Sequence, residues 1–223
     1  METNRVKIIS IGLITPDVLQ IFTEKPGRLS FVPGQAVDVS INKEGWKEKV
    51  RPFTFTSLPE DNFLQFTIKT YPSRKGVTNE LLHLKKNDEL LLGEVFGTIE
   101  YKGEGCFIAG GAGITPFISI FRYLQSKNAI GNNKLIFANK KRDDIILKYE
   151  FGQLLGNNFI NILSDETADG YAHGFITTDF LRKNVDGTDK HIYLCGPPPM
   201  MDAVEKMLGE LNADKNLIVK EAF

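Results

Sequence analysis

The stretch Cys106-Phe107-Ile108-Ala109-Gly110-Gly111-Ala112-Gly113-Ile114-Thr115-Pro116-Phe117-Ile118-Ser119-Ile120-Phe121 decides how this chain folds. Its first four residues form the unbroken apolar run of a buried parallel strand, and Phe117–Phe121 opens a helix. Glycines between a strand and a helix let the backbone turn tightly and come close to a pyrophosphate. The helix N-terminus adds unpaired N–H groups and the positive end of its dipole. Pro116 suits the first helical turn, and Thr115 suits the N-cap. The same glycines also serve a plain turn. The third glycine of the dinucleotide-binding fingerprint is replaced here by Thr-Pro, so the loop is a variant of that motif.

A second strand-to-helix turn lies downstream. Tyr193-Leu194-Cys195-Gly196-Pro197-Pro198-Pro199-Met200-Met201 follows an apolar strand, and Met200, Val204, Met207, Leu208 and Leu211 share one face of the helix it opens. Between the two turns the chain alternates. Strands are predicted near residues 106–109, 134–138, 159–163, 191–194 and 216–221, with helices near 115–127, 145–155, 177–183 and 199–211. That order makes an α/β doubly wound parallel sheet, whose ligands bind beyond the carboxyl ends of the strands.

Upstream of Gly103-Glu104-Gly105 the period changes to two. Val37, Val39 and Ile41 alternate with Asp38, Ser40 and Asn42, and Leu64, Phe66 and Ile68 alternate with Gln65, Thr67 and Lys69. Half-buried strands broken by Pro-Gly turns at 26–27 and 33–34 predict an antiparallel β-barrel. The charged run Lys43–Lys49 reads as a solvated hairpin connection. The fold expected is therefore two-domain: a barrel over residues 1–102 and the parallel-sheet domain over 103–223.

Bulk composition narrows the function. The chain has 223 residues, 42% of them hydrophobic, enough for two compact cores. A net charge of -1 gives no global attraction to nucleic acid or acidic membranes. No apolar run reaches the roughly 18 residues of a spanning helix, and the first residues lack the apolar core of a signal peptide. Two cysteines, Cys106 and Cys195, are too few for a disulfide framework or a cysteine-ligated cluster, and a cytoplasmic location is the simplest expectation. His83, His173 and His191 show no ligand spacing, so no metal is expected.

Arg51-Pro52-Phe53-Thr54, in the barrel half, has a planar guanidinium suited to phosphate, an aromatic ring and a hydroxyl, although an apolar-alternating strand explains it equally. Together with Gly110–Pro116 and Cys195–Met200, this segment makes the chain resemble the ferredoxin–NADP reductase family over nearly its whole length. That family carries R-x-[YF]-[ST], GG-x-G-x-[TA]-P and CG-x-x-x-M segments in this order. The resemblance implies an FAD-dependent NAD(P)H reductase that passes electrons to a separate one-electron carrier such as flavodoxin or ferredoxin. A small acceptor, free flavin or a ferric chelate, is the variant of that reading. The reductase component of an oxygenase system is an alternative. A nucleotide-binding electron-transfer or regulatory subunit without turnover is another. Oligomeric state is not legible.

By the same resemblance Arg51 would contact the FAD pyrophosphate, with Pro52 opening the strand. Phe53, where the family more often has tyrosine, would lie against the flavin, and Thr54 would approach its N5. Gly76-Val77-Thr78, read as a glycine followed by a capping Thr or Asn and a short helix, would cradle the pyrophosphate. Gly111, Gly113 and Thr115 would hold the dinucleotide phosphates, and Cys195 with Gly196 would border the nicotinamide; Cys195 also reads as a buried small hydrophobe. The terminal Lys220-Glu221-Ala222-Phe223 suggests Phe223 as a flavin lid and Glu221 with Thr54 as a proton path, or only a frayed last strand. Asp165-Glu166 stands where NADPH-specific relatives commonly have Ser-Arg and argues for NADH. The basic run Asn139-Lys140-Lys141-Arg142 argues for NADPH unless it is simply solvated.

Overall fold

In the computed structural model of the chain the described residues are 4–71, 73–185, 187 and 190–221. They form two compact units. One comprises Met1–Gly97 with Thr115–Tyr123, the other Thr98–Ile114 with Leu124–Phe223.

The first unit holds β1 (Asn4–Thr15), β2 (Val18–Glu24), β3 (Ala36–Ile41), β4 (Arg51–Thr54), β5 (Phe63–Lys69) and β6 (Glu89–Phe96), with a single helical turn α1 (Val77–Glu80). All pairings are antiparallel, in the order β4-β3-β6-β1-β2-β5. The two ends of that order meet: Phe55 bridges Phe66, and Thr56 N donates to Gln65 O at 2.8 Å. Closure removes the exposed sheet edges. Val6, Val37, Val39, Leu64 and Leu92 fill the interior, and Phe31 stacks on Phe55 with centroids 4.0 Å apart.

The period-two reading needs one correction. Ser40, Gln65 and Thr67, expected on a solvated face, are buried. For two of them the cover is identifiable. Thr67 Oγ1 shares a 3.2 Å hydrogen bond with Thr56 Oγ1, and Gln65 Oε1 accepts from Arg122 Nη1 at 3.0 Å. Arg122 lies on α2 (Thr115–Ser126), whose residues 115–123 belong to this unit. The strand face is covered by a helix that strand periodicity alone does not reveal.

The second unit is a parallel sheet built from β7 (Gly105–Gly110), β8 (Lys134–Asn139), β9 (Phe159–Leu163), β10 (Ala172–His173), β11 (His191–Cys195) and β12 (Ile218–Lys220). Three further helices connect them: α3 (Lys148–Leu155), α4 (Thr178–Asn184) and α5 (Pro198–Glu210). The order is β10-β9-β8-β7-β11-β12. From β7 the chain winds outward through β8 to β10, then returns to the other side of β7 as β11. The carboxyl ends of β7 and β11 are thus the topological switch point, where open α/β sheets bind their ligands. Side chains alternate across the sheet. Cys106, Ile108, Ile136, Ile192 and Leu194 pack with Leu181 of α4 and Met201, Val204 and Leu208 of α5.

Details differ from expectation at element ends. The third helix starts at Lys148 because Leu147 takes a left-handed conformation (φ 52°). The last strand is shortened to three residues by a 3-10 turn at Lys215–Leu217. The two-residue β10 is too short to carry a periodic signal. No helix among the described residues is long and apolar enough to cross a membrane.

Candidate functional site

In the barrel unit, Arg51 and Thr54 sit at the two ends of β4, an end strand of the hydrogen-bonded order. Arg51 is exposed, and among the described residues its guanidinium bonds only the neighbouring Val50 carbonyl, at 2.7 Å. It therefore keeps its bidentate donor edge available for an anion. Pro52 is exposed, Phe53 packs against the barrel core from the rim, and Thr54 is 8% exposed. The Thr54 hydroxyl accepts a hydrogen bond from Thr115 Oγ1 at 3.2 Å. Two site residues 61 positions apart in sequence are thereby brought together within one unit.

The Gly76-Val77-Thr78 segment is less helical than expected. Its α-helical part is four residues long, and Gly76, not Thr78 or Asn79, is the N-cap, with no side-chain cap. The reason is visible in the packing: Val77 is buried, which turns the short helix inward and leaves Gly76 O to accept from Asn79 N and Glu80 N. A Cβ at Gly76 would meet nothing within 4 Å, so the backbone there is open to a ligand.

In the sheet unit the two glycine turns lie directly against one another. Ala109 of β7 pairs with Cys195 of β11, and the loops continue past both strand ends. A Cβ on Gly113 would strike the Cys195 carbonyl and lie 2.6 Å from Gly196 Cα. A Cβ on Gly110 would come 2.5 Å from Met200 Sδ, and one on Gly196 2.6 Å from Met200 Cε. Gly113, read from the sequence as a phosphate contact, is thus required first by backbone-to-backbone packing. Gly111 is different: it has φ 52° and open space around it. It is the glycine of this loop whose surface a ligand can reach. Met200, grouped with the apolar face of its helix from the sequence, does pack against that core and also fills the gap over both turns, and Met201 is buried beside it.

Cys195 and Glu221 close this end of the sheet. Leu194 pairs with Lys220, so Cys195 and Glu221 continue adjacent strands, and both are buried. Burial, then the charge of Glu221, pushes the Cys195 thiol up to about 12. The thiol is a small hydrophobe rather than a nucleophile. Burial also raises Glu221 above the usual carboxylate range, opposed by a hydrogen bond from the Thr98 backbone N–H. Its Oε2 has no hydrogen-bond partner among the described residues. Phe223, the expected lid, lies outside the described residues.

Beyond β8 and β9 one residue of the basic run pairs with one of the acidic run. Arg142 Nε lies 2.6 Å from Glu166 Oε1, and Arg142 N donates to Glu166 Oε2 at 2.9 Å. That pairing raises Arg142 and lowers Glu166. Asp165 is exposed and accepts from Ser164 Oγ at 2.5 Å. The polar positions Ser119 and Arg122 of α2 and the packing role of Met200 were missed in the sequence. The spacing of Thr115, Ser119 and Arg122 at i, i+4 and i+7 on a mostly apolar helix was the available signal.

Two outcomes follow from this geometry. Gly113→Ala should lose about 3 kcal/mol of unfolding free energy because backbone cannot yield to its Cβ, whereas Gly111→Ala should lose only about 1 kcal/mol of left-handed strain. Urea unfolding of both variants measures the difference. Glu221 binds its proton more tightly folded than unfolded, so native stability declines as pH rises from the ordinary carboxylate range through the raised value. Glu221→Gln should match the parent near pH 4 and exceed it in thermal midpoint at pH 8; a parent more stable than the variant at pH 8 would contradict the assignment.

Comparison with known proteins agrees with this architecture. A family model described as "FAD-binding domain" matches residues 3–103, and one described as "Oxidoreductase NAD-binding domain" matches residues 107–206. NADH-cytochrome b5 reductase 1 of Aspergillus oryzae is 31% identical over 201 residues, covering 82% of this chain and 68% of that protein. The reductase component of propane 2-monooxygenase from Mycolicibacterium goodii is 28% identical, covering 98% of this chain and 67% of its own. The chain spans about two thirds of the length of such relatives, 64% for NADH-cytochrome b5 reductase 1 of Emericella nidulans. A ferredoxin NADP+ reductase from Neisseria gonorrhoeae, solved with bound FAD and NADP, superposes with a TM-score of 0.85 over 99% of this chain and 98% of its own, at 16% identity. With a closed antiparallel barrel, a doubly wound parallel sheet and glycine turns at the switch point, the chain belongs to the FAD- and NAD-binding oxidoreductases that include NADH-cytochrome b5 reductase.

Proposed function

We propose that this chain is a reductase that takes a hydride from NADH and delivers electrons to a separate acceptor. FAD, when bound, supplies the step that accepts a hydride and releases electrons singly. The protein's part is to bind, orient and exclude water. In this reading residues 1–102 serve the flavin and residues 103–223 the dinucleotide. Arg51, exposed and with no acidic partner among the described residues, and the segment Gly76-Val77-Thr78, open at Gly76, hold the FAD pyrophosphate. Phe53 and Thr54 meet its ring system. Gly111 and the N–H groups of its loop hold the dinucleotide phosphates. Cys195 and Gly196 border the nicotinamide, and Glu221, proton-bound above the usual carboxylate range, is the proton donor with Thr54.

The observation that carries the choice of NADH is the Arg142–Glu166 pair. A 2′-phosphate needs a cation near the ribose, and the guanidinium of the basic run, Arg142, is already held by Glu166 beside an exposed Asp165. The acceptor is a one-electron carrier. The flavodoxin or ferredoxin expected from the sequence fits that class, as do the haem protein and oxygenase component implied by the relatives' names. A role as an oxygenase reductase component is the second reading, supported by similarity to the propane 2-monooxygenase reductase component over 98% of this chain.

Anaerobic stopped-flow absorbance of the FAD-loaded protein tests the proposal: NADH should bleach the flavin band faster than NADPH, and a flavin that neither reduces would defeat it. Glu166→Ala should free Arg142 and narrow the NADH preference by about tenfold, an effect that added salt weakens. Arg51→Ala should release FAD on gel filtration; full retention would remove Arg51 from the flavin site.

A further inference from the structure

Thr115 begins the helix that follows the glycine loop, and by the family resemblance it would help hold the dinucleotide phosphates. Its geometry says otherwise. A threonine hydroxyl has one proton to donate. Thr115 Oγ1 donates that proton to Thr54 Oγ1 at 3.2 Å. A phosphate oxygen only accepts, so the same proton cannot serve it as well. Both residues are β-branched, with few side-chain orientations open to them, and Thr54 is held in the β3–β4 ladder opposite Ala36.

The contact is also braced from the helix side. One turn on, Ser119 Oγ accepts from Gly34 N at 2.9 Å and donates to Pro116 O at 3.2 Å. A further turn on, Arg122 Nη1 reaches Thr56 O at 2.8 Å and Gln65 Oε1 at 3.0 Å. Positions i, i+4 and i+7 share one helix face, and all three are fastened to the barrel within one unit. The rise of the helix therefore sets where Thr115 Oγ1 stands relative to β4.

We infer that Thr115 is a positioning residue for Thr54. By filling one lone pair of the Thr54 hydroxyl, it directs the Thr54 proton away from the helix, toward the flavin edge; this last clause rests on the reading of Thr54 given under Proposed function. The dinucleotide phosphates are left to the backbone N–H groups of the loop.

The test compares FAD-loaded full-length Thr54→Val, Thr115→Val, the double variant and Thr115→Ser. Each is measured for flavin absorbance, midpoint potential and NAD+ affinity. Thr54→Val should move spectrum and potential. Thr115→Val should move both in the same direction by a smaller amount, slow flavin reduction by NADH about fivefold, as loss of one hydrogen bond of ordinary strength does, and leave NAD+ affinity within about twofold. The double variant should match Thr54→Val alone, because the two hydroxyls act as one unit, and Thr115→Ser should restore the parent values. A Thr115→Val protein with parental flavin properties and about tenfold weaker NAD+ binding overturns the inference in favour of a phosphate contact, and additive effects in the double variant overturn it too. If Thr54→Val moves neither spectrum nor potential, the flavin-edge reading of Thr54 itself fails and the inference falls with it. Should valine at 115 prevent flavin loading, Thr115→Ala carries the same comparison.

Discussion

A partly buried polar seam fixes the register of α2 on the barrel. Thr115, Ser119 and Arg122 rise along one face of α2 and meet Thr54, Gly34, Thr56 and Gln65. Each buried group that loses such a partner costs about 1–3 kcal/mol, comparable to a large share of a domain's net stability. Apolar packing tolerates small slides of a helix over a sheet, whereas a row of directional bonds has one register. The helix is thus indexed to the strand carrying Thr54, and the first residue after the glycine loop inherits its place from bonds made two turns away.

At the sheet's switch point a different constraint operates, one of volume. The loops after β7 and β11 approach until no side chain fits between them, and Met200 seals what remains. An unbranched thioether is well suited to an irregular gap over bare backbone. This crowding leaves Gly111 as the open position, so the same glycine-rich sequence contains one residue shaped by access and several shaped by exclusion.

Much of this was legible before any coordinates. The change from period two to alternating strands and helices at Gly103–Gly105 follows from how each element buries its apolar face, and the glycine turns announce themselves by composition. What stayed hidden depends on contacts between distant residues. Gln65 and Thr67 look solvent-facing until Arg122 and Thr56 are brought to them. Gly113 looks like a phosphate glycine until the Cys195 backbone is seen beside it. Thr78 and Asn79 look like caps, but burial of Val77 makes Gly76 the cap. Local spacing reports what a residue can do; which of those options is used is decided by a partner far along the chain.

The two cysteines have a consequence for durability. Protein chemistry that handles reduced flavin in air meets peroxide, and peroxide attacks the thiolate rather than the thiol. With its thiol pushed up to about 12 by burial, Cys195 stays protonated at pH 7. Cys106 is buried as well. Keeping both thiols buried limits the oxidation of the two cysteines.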